Sequence, residues 1–381
     1  MRKKVLFCAT VDHHFSSFHL PYLKWFKDQG WEVHIAAAGR LKLPFVDKKY
    51  DIAIQRSPFK KKNIDAYKEL KFIIDKNQYK VIHCHTPMGG ALARLASRKA
   101  RKHDTKVIYT AHGFHFYKGA PLLNWLVYYP IEKVLAHYTD CLITINEEDY
   151  SLAVNHHFKA NQIQHIHGVG VNTDQFTPDI DKIKLREKYH YKNDAFLMFY
   201  AAEFNNNKNQ QMLIKAIALL NVKVPNAKLL LAGEGPLIDQ CKQLSVQLKI
   251  EGLVDFLGNR DDIVSLLKLS DIAVASSLRE GLPVNVMEAM ASGLPIIAVN
   301  NRGHRELVLN NQNGWLVESN PIEMSKKMVI LAKNKSLREQ YGTQSRKIIL
   351  EKYSLIKVLE EKSAIYKNVI NEIEEVQWAV H

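Results

Sequence analysis

Short apolar runs alternate with longer amphipathic stretches along the whole chain, and this alternation restricts it to an α/β fold built on parallel sheets. Strands are expected at residues 5–10, 32–37, 52–54, 81–85, 107–112, 141–145 and 163–167. A second series follows at 196–201, 228–232, 254–257, 272–276, 296–299 and 315–317. Stretches such as 18–29, 67–76 and 92–102 supply helices between them. At 381 residues the chain exceeds the size at which one hydrophobic core stops growing, about 250–300 residues. Two Rossmann-like domains are therefore expected, at 1–176 and 183–352, separated by a polar, aperiodic segment at 177–182. The last stretch, 353–381, has a helical pattern and is expected to cross back to the first domain.

Charge divides the two halves. Residues 1–175 hold 26 Lys and Arg against 15 Asp and Glu, so +11 of the net +14 falls there. An anionic membrane surface or a lipid diphosphate would suit that excess; a merely solvated surface is the alternative. Nucleic acid fits the charge alone, and no nucleic-acid motif accompanies it. The run with Arg94, Arg98, Lys99, Arg101, Lys102 and Lys106, together with Lys60, Lys61 and Lys62, is either a membrane-facing patch or the polar side of a packed helix. The apolar, aromatic run 122–129 lines either a lipid-acceptor groove or the core. No run reaches the ~18–20 apolar residues of a membrane span. The basic start before Val5 is followed by too short an apolar run for a leader, broken at Asp12, His13 and His14. Four cysteines without a Cys-x-x-Cys pair suit a reducing compartment, so a cytoplasmic protein is expected, peripheral to the inner membrane face.

The stretch from Ser276 to Pro295 carries the chemistry. It reads as strand end, loop, helix, turn and strand, with Pro283 at the first helical position and Gly293 and Pro295 marking the helix end. A helix N-terminus at a strand's carboxyl end offers free amides to a phosphate. Glu280 in the loop and Glu288 on the helix place two carboxylates where hydroxyls of a sugar and a ribose can be held.

This stretch resembles the E-x7-E signature of the family-four retaining glycosyltransferases, whose architecture, GT-B, has two Rossmann-like domains with parallel sheets facing a central cleft. The resemblance covers essentially the whole chain. Gly233, Gly235 and Pro236 look like the family's turn beside the nucleotide, and the segment around Arg260 like its base-contacting strand end. The segment Gly170 to Phe176 looks like the motif closing the N-terminal domain, and Thr110, Ala111 and His112 like the loop that reaches the donor sugar. The runs 8–15 and 110–116 are similar to one branch, bacterial enzymes of exopolysaccharide and capsule assembly. The resemblance implies that Glu280 holds the sugar, Glu288 the ribose, and the Gly281 and Leu282 amides the diphosphate or sugar. It further implies that Lys208 neutralises the leaving diphosphate and His112 orients the donor sugar. The donor would be a UDP- or GDP-linked sugar and the acceptor a polyprenyl-diphosphate-linked saccharide, with no metal ion.

Two departures accompany it. Glu203 stands where the family usually has Arg, so it must turn away from the diphosphate or pair with Lys208. Asp12, His13 and His14 replace a Gly-Gly pair and are expected on the acceptor side. A binding subunit with weak catalysis is the second reading, motivated by Glu203; a sugar-nucleotide epimerase is a third, against which the E-x7-E loop argues. The histidine groups His83 with His85, His112 with His115, and His156 with His157 are read as core or site-lining, without a metal. Asp179 and Asp181 have a metal-binding spacing but fall in the expected linker, and are read as solvated.

Overall fold

A computed structural model describes residues 2–178 and 181–379. The chain forms two compact units, the first from Met1–Val169 with the C-terminal segment from Val358, the second from Gly170–Lys357. In the first, seven strands pair in one parallel sheet: β1 (Lys4–Val11), β2 (Glu32–Ala38), β3 (Lys48–Asp51), β4 (Val81–His85), β5 (Lys106–Ala111), β6 (Cys141–Thr144) and β7 (Gln162–His165), in the order 3-2-1-4-5-6-7. The second has six: β8 (Phe196–Ala201), β9 (Ala227–Ala232), β10 (Val254–Gly258), β11 (Ile272–Ala275), β12 (Ile296–Val299) and β13 (Gly314–Val317), in the order 10-9-8-11-12-13. These are doubly wound Rossmann sheets. In each, strand order reverses once, between β1 and β4 and between β8 and β11, and ligands of such sheets bind at the carboxyl ends there.

Covered on both faces, the inner strands read as unbroken apolar runs, and Val5 to Ala9, Ile296 to Ala298 and Leu229 to Leu231 are all buried. The expected strand at 52–54 is displaced: β3 is Lys48–Asp51, whose charged residues tolerate an edge position, while Ile52 and Ile54 are buried just beyond it. Cys8, Cys84 and Cys141 on strands and Cys241 on a helix are all buried free thiols.

The units divide at Val169 and Gly170, not after Phe176. Val171 bridges Ser354, with Val171 N donating to Tyr353 O at 2.9 Å and Leu355 N to Val171 O at 2.8 Å. Arg346 ties in the same stretch through Thr173 O at 2.9 Å and Phe176 O. The segment 170–176 therefore opens the second unit instead of closing the first. Asp179 and Ile180 lie outside the described residues, and Asp181 caps helix Lys182–Lys188 by accepting from Lys184 N. The long helix Leu355–Ala379 packs on the first unit from Val358 onward: Tyr366 OH meets His83 Nδ1 at 2.8 Å, and Lys106 pairs with Glu372 at 2.9 Å.

The basic stretch after β4 is partly internal. Its helix, Pro87–Ala96, ends early and a 3-10 turn, Ala100–Lys102, follows. Arg94 is fully buried; it donates to Glu132 Oε2 at 2.8 Å and lies 3.8 Å over the Tyr109 ring. Arg101 grips Asp140 with two bonds of 2.8 and 3.0 Å. These two arginines are struts, and removing one partner of a buried pair such as Arg94–Glu132 typically costs about 3–5 kcal/mol.

Candidate active site

The strand-order reversal in the second unit is flanked by two loops. The first, 202–209, follows β8; the second, 276–283, follows β11. The loops are bonded to each other: Ser276 Oγ donates to Lys208 O at 2.6 Å, Leu278 N to Asn207 O at 2.8 Å, and Asn207 Nδ2 to Arg279 O at 3.0 Å. Across this frame Lys208 Nζ meets Glu280 Oε1 at 2.5 Å. Both side chains stay partly open to solvent, at 23% and 14%.

The turn after β9 presses on the first loop. Gly233 (φ +129°) and Gly235 (φ +151°) hold conformations suited to glycine, and a Cβ on them would meet Ala202 O at 2.2 Å and Phe204 O at 2.5 Å. Phe204 N donates to Glu234 O and Leu237 N to Phe204 O, and Pro236 is exposed between these contacts. Gly235→Ala is therefore expected to cost more than about 1–3 kcal/mol by displacing the Lys208 loop. Gly252→Ala, with open space at its Cβ, should not. Urea melts of both variants check this; an unaltered stability of Gly235→Ala would refute the close packing.

Helix Val284–Ala291 starts after the second loop, with Pro283 as its N-cap in extended conformation, one position before the expected place. Its missing N–H costs nothing at either position. Leu282 is buried and Gly281 partly so. Glu288 is partly buried on this helix beside Phe199, Tyr200, Ala201 and Asn285. Burial alone, with no offsetting hydrogen bond or charge, pushes its carboxyl up to about 7.

Three residues that the sequence reading did not single out brace Glu280. Asn301 Nδ2 donates to Ser277 O at 2.8 Å and Arg302 Nε to Glu280 O at 3.1 Å. A Cβ on Gly303 would lie 2.8 Å from Glu280 Cβ, so only glycine fits. Next to them, His304 Nδ1 donates to Val299 O at 2.6 Å, leaving a buried Nε2 without a partner. Glu203 is exposed and accepts from Asn205 Nδ2 at 3.0 Å, so it turns away from Lys208. Arg260, expected beside the base, is engaged with Asp262 through bonds of 2.8 and 2.6 Å, which lowers the Asp262 carboxyl to about 2.

Residues 4–146 match the family described as "Glycosyl transferase 4-like", and residues 181–348 match "Glycosyl transferases group 1". The chain is 50% identical over 369 residues to EpsD of Bacillus subtilis (strain 168), named as a glycosyltransferase, covering 96% of this chain and 97% of that one. The chain belongs to the family-four glycosyltransferases. It is also 28% identical over 321 residues to the Escherichia coli UDP-Gal:alpha-D-GlcNAc-diphosphoundecaprenol alpha-1,3-galactosyltransferase, covering 81% of this chain and 82% of that enzyme. The two-sheet fold matches the GT-B structure of Anabaena HepE, solved with UDP and glucose, at a TM-score of 0.79 and 17% identity, covering 96% of this chain and all of that one.

In this glycosyltransferase the first-unit residues singled out from sequence take different positions. Asp12 is buried, pairs with Lys49 and accepts from Leu41 N at 2.8 Å, so it braces the loop after β2. His13 is exposed beside Ser16 and Ser17. His83 is buried between Tyr366 OH and Thr110 Oγ1, and the His115 ring lies 4.6 Å from the Tyr128 ring, tilted by 30°. His14 and His112 instead join His19 and His85, a convergence of four histidines that the pairwise reading missed. The glycosyltransferase has a cavity of about 500 Å³ lined by Met88, Leu92, Leu95, Phe116, Tyr128 and Ile131, at the β1, β4 and β5 ends of the first sheet. In the second unit, a cavity of about 580 Å³ lies at the amino ends of the strands, opposite the loops holding Lys208 and Glu280.

Proposed function

We propose that this glycosyltransferase moves a hexosyl or N-acetylhexosaminyl group from a UDP- or GDP-sugar to a polyprenyl-diphosphate-linked saccharide, with retention at the transferred carbon and no metal on the diphosphate. The observation that carries the reading is the Lys208–Glu280 pair on the loops at the carboxyl ends of β8 and β11, with the Glu288 carboxyl on the helix that follows the second loop. A departing nucleoside diphosphate gathers negative charge. Lys208 and the amides at Gly281 and Leu282 meet that charge, and a fixed cation stabilises the transition state more than the ground state. Glu280 accepts from the sugar hydroxyls and Glu288 from the ribose. His112, a neutral imidazole because burial holds its pKa well below the usual range, is assigned the donor-sugar contact on the family resemblance. Glu203, turned toward Asn205, favours catalysis over the binding-subunit reading.

The Escherichia coli relative's lipid-linked acceptor supports the acceptor class, as does the UDP and glucose of Anabaena HepE the donor class. The apolar first-unit cavity suits a lipid-bearing acceptor. Helix Leu122–Ala136 exposes Leu122, Leu123, Leu126 and Val134, near Lys118 and Lys133 in sequence, a pattern suited to an anionic membrane face. No helix among the described residues is long and apolar enough to cross a membrane. The reading places the enzyme on the inner face of the cell membrane, in exopolysaccharide or capsule synthesis.

The test is thermal stabilisation by UDP, GDP, CDP and their sugars with and without EDTA, then NMR of the product's anomeric centre. Stabilisation by one nucleotide, indifferent to EDTA, with an unchanged anomeric configuration, is expected. Loss of the shift in EDTA overturns the metal-free diphosphate, and an inverted product overturns retention.

A further inference from the structure

We propose that His14, His19, His85 and His112 form a binding site for one transition-metal ion of the Zn²⁺ class, a site distinct from the donor-diphosphate chemistry. His14 lies in helix His13–Phe18, His19 directly follows it, His85 ends β4, and His112 follows β5. One ring nitrogen from each comes within 4.8 Å of the others, and no other such group of His, Cys, Asp or Glu occurs among the described residues. Two contacts already have the required scale: His14 Nε2 to His19 Nε2 at 3.0 Å and His85 Nδ1 to His112 Nε2 at 3.2 Å. Tetrahedral zinc with bonds of about 2.0–2.1 Å sets its nitrogens roughly 3.3 Å apart. The wider separations close by ring rotation, and the partly exposed His14, on a six-residue helix, has room to turn.

His19 and His85 are fully buried, and the nitrogens they turn to the group, His19 Nε2 and His85 Nδ1, meet the rings of His14 and His112; His19 Nδ1 and His85 Nε2, on the other side of each ring, have no partner. Burial also keeps all four imidazoles neutral, so their lone pairs are available without proton release. The set contains no carboxylate. Imidazoles suit Zn²⁺, Cu²⁺, Ni²⁺ or Co²⁺, whereas Mg²⁺, Ca²⁺ and Mn²⁺ prefer oxygen ligands. Four protein ligands make a closed site with a structural role. The ion would clip the start of the chain's first helix to the ends of β4 and β5, and so fix His112. One feature opposes it: Lys362, whose buried Nζ has no hydrogen-bond partner and lies 3.9 Å over the Tyr22 ring, is near enough to affect His14, His19 and His112.

The site lies wholly in the first unit and does not depend on the donor reading, so its test reads metal, not transfer. The full chain without a histidine tag is stripped with chelator, freed of it, and titrated with Co²⁺ or Zn²⁺ alone. One ion per chain, tetrahedral d–d bands with Co²⁺ and a raised melting temperature with Zn²⁺ are expected. His85→Gln and His14→Gln should each weaken binding by at least about 100-fold. Lys362→Met should tighten it by removing the opposing charge, and His156→Gln should change nothing. Less than about a tenth of an ion per chain, octahedral Co²⁺ spectra, or equal binding by His14→Gln overturns the site. If His85→Gln does not fold, His14→Gln and the unaltered chain's Co²⁺ spectrum decide.

Discussion

Glu280→Ala is expected to lower kcat for sugar transfer by about 10²–10³-fold or more while leaving the fold intact and nucleotide binding at least as tight. The fold survives because the loop is held by its backbone, not by this carboxylate. Asn301 grips Ser277 O, Asn207 grips Arg279 O and Arg302 grips Glu280 O. Among the described residues the carboxylate itself meets Lys208 alone, in a partly exposed pair. On the proposed reading, removing it would free the Lys208 ammonium for the diphosphate, so nucleotide affinity should hold or rise while the sugar loses its anchor. Lys208→Met has the opposite split: it loses both kcat and nucleoside-diphosphate affinity. Because the two side chains act as a unit, the double variant should be far less impaired than the product of the singles. Steady-state kinetics and calorimetric titration with nucleotide separate these cases. A Glu280→Ala enzyme within about tenfold of the parent would remove Glu280 from the chemistry.

Legibility in the sequence followed the range of the interaction. The β8 and β12 strands could be read because each is a short apolar run flanked by polar turns. The loop from Ser276 to Pro295 could be read because its strand, carboxylates, helix and terminating glycine are contiguous. β3 could not: Lys48, Lys49 and Asp51 have no strand-like pattern, and pairing with β2 makes them a strand. The unit boundary rests on Val171 meeting Ser354, a contact between distant segments that no local composition signals. Arg94 looked like surface charge because its partner, Glu132, is 38 residues away. The four-histidine group was hidden for the same reason, since its members come from the first helix and its end, the end of β4 and the loop after β5. Gly303 carried a weak local signal, a glycine inside a charged helical stretch, whose meaning depends on Glu280 lying against it.

Glu288→Gln is expected to stabilise the ligand-free protein above pH 7 and to weaken nucleotide binding at the same pH. The Glu288 carboxyl is raised from 4.5 to about 7 by burial without a compensating partner. The folded-state pKa lies above the unfolded one, so its contribution to stability is fully present below about pH 4.5, declines between 4.5 and 7, and is gone above. The neutral amide carries no such loss. The melting-temperature gap between variant and parent should therefore be near zero at pH 4.5, widen through pH 7 and then level off. A shift of this size corresponds to about 3 kcal/mol, and partial exposure reduces it to about 1–3 kcal/mol, or several degrees. On the proposed reading the sign reverses with nucleotide bound, because two ribose hydroxyls would donate to the carboxylate and favour its charged form. Glutamine offers one acceptor oxygen in place of two charged ones, so affinity should fall by about 10–100-fold, the scale of a charged hydrogen bond. A gap that does not vary with pH would mean that Glu288 stays ionised in the folded chain. A gap with the expected pH course and unchanged nucleotide affinity would make Glu288 a buried acid with no ligand. Stability lost in the free protein and recovered on binding is what a carboxylate kept for a ligand should show.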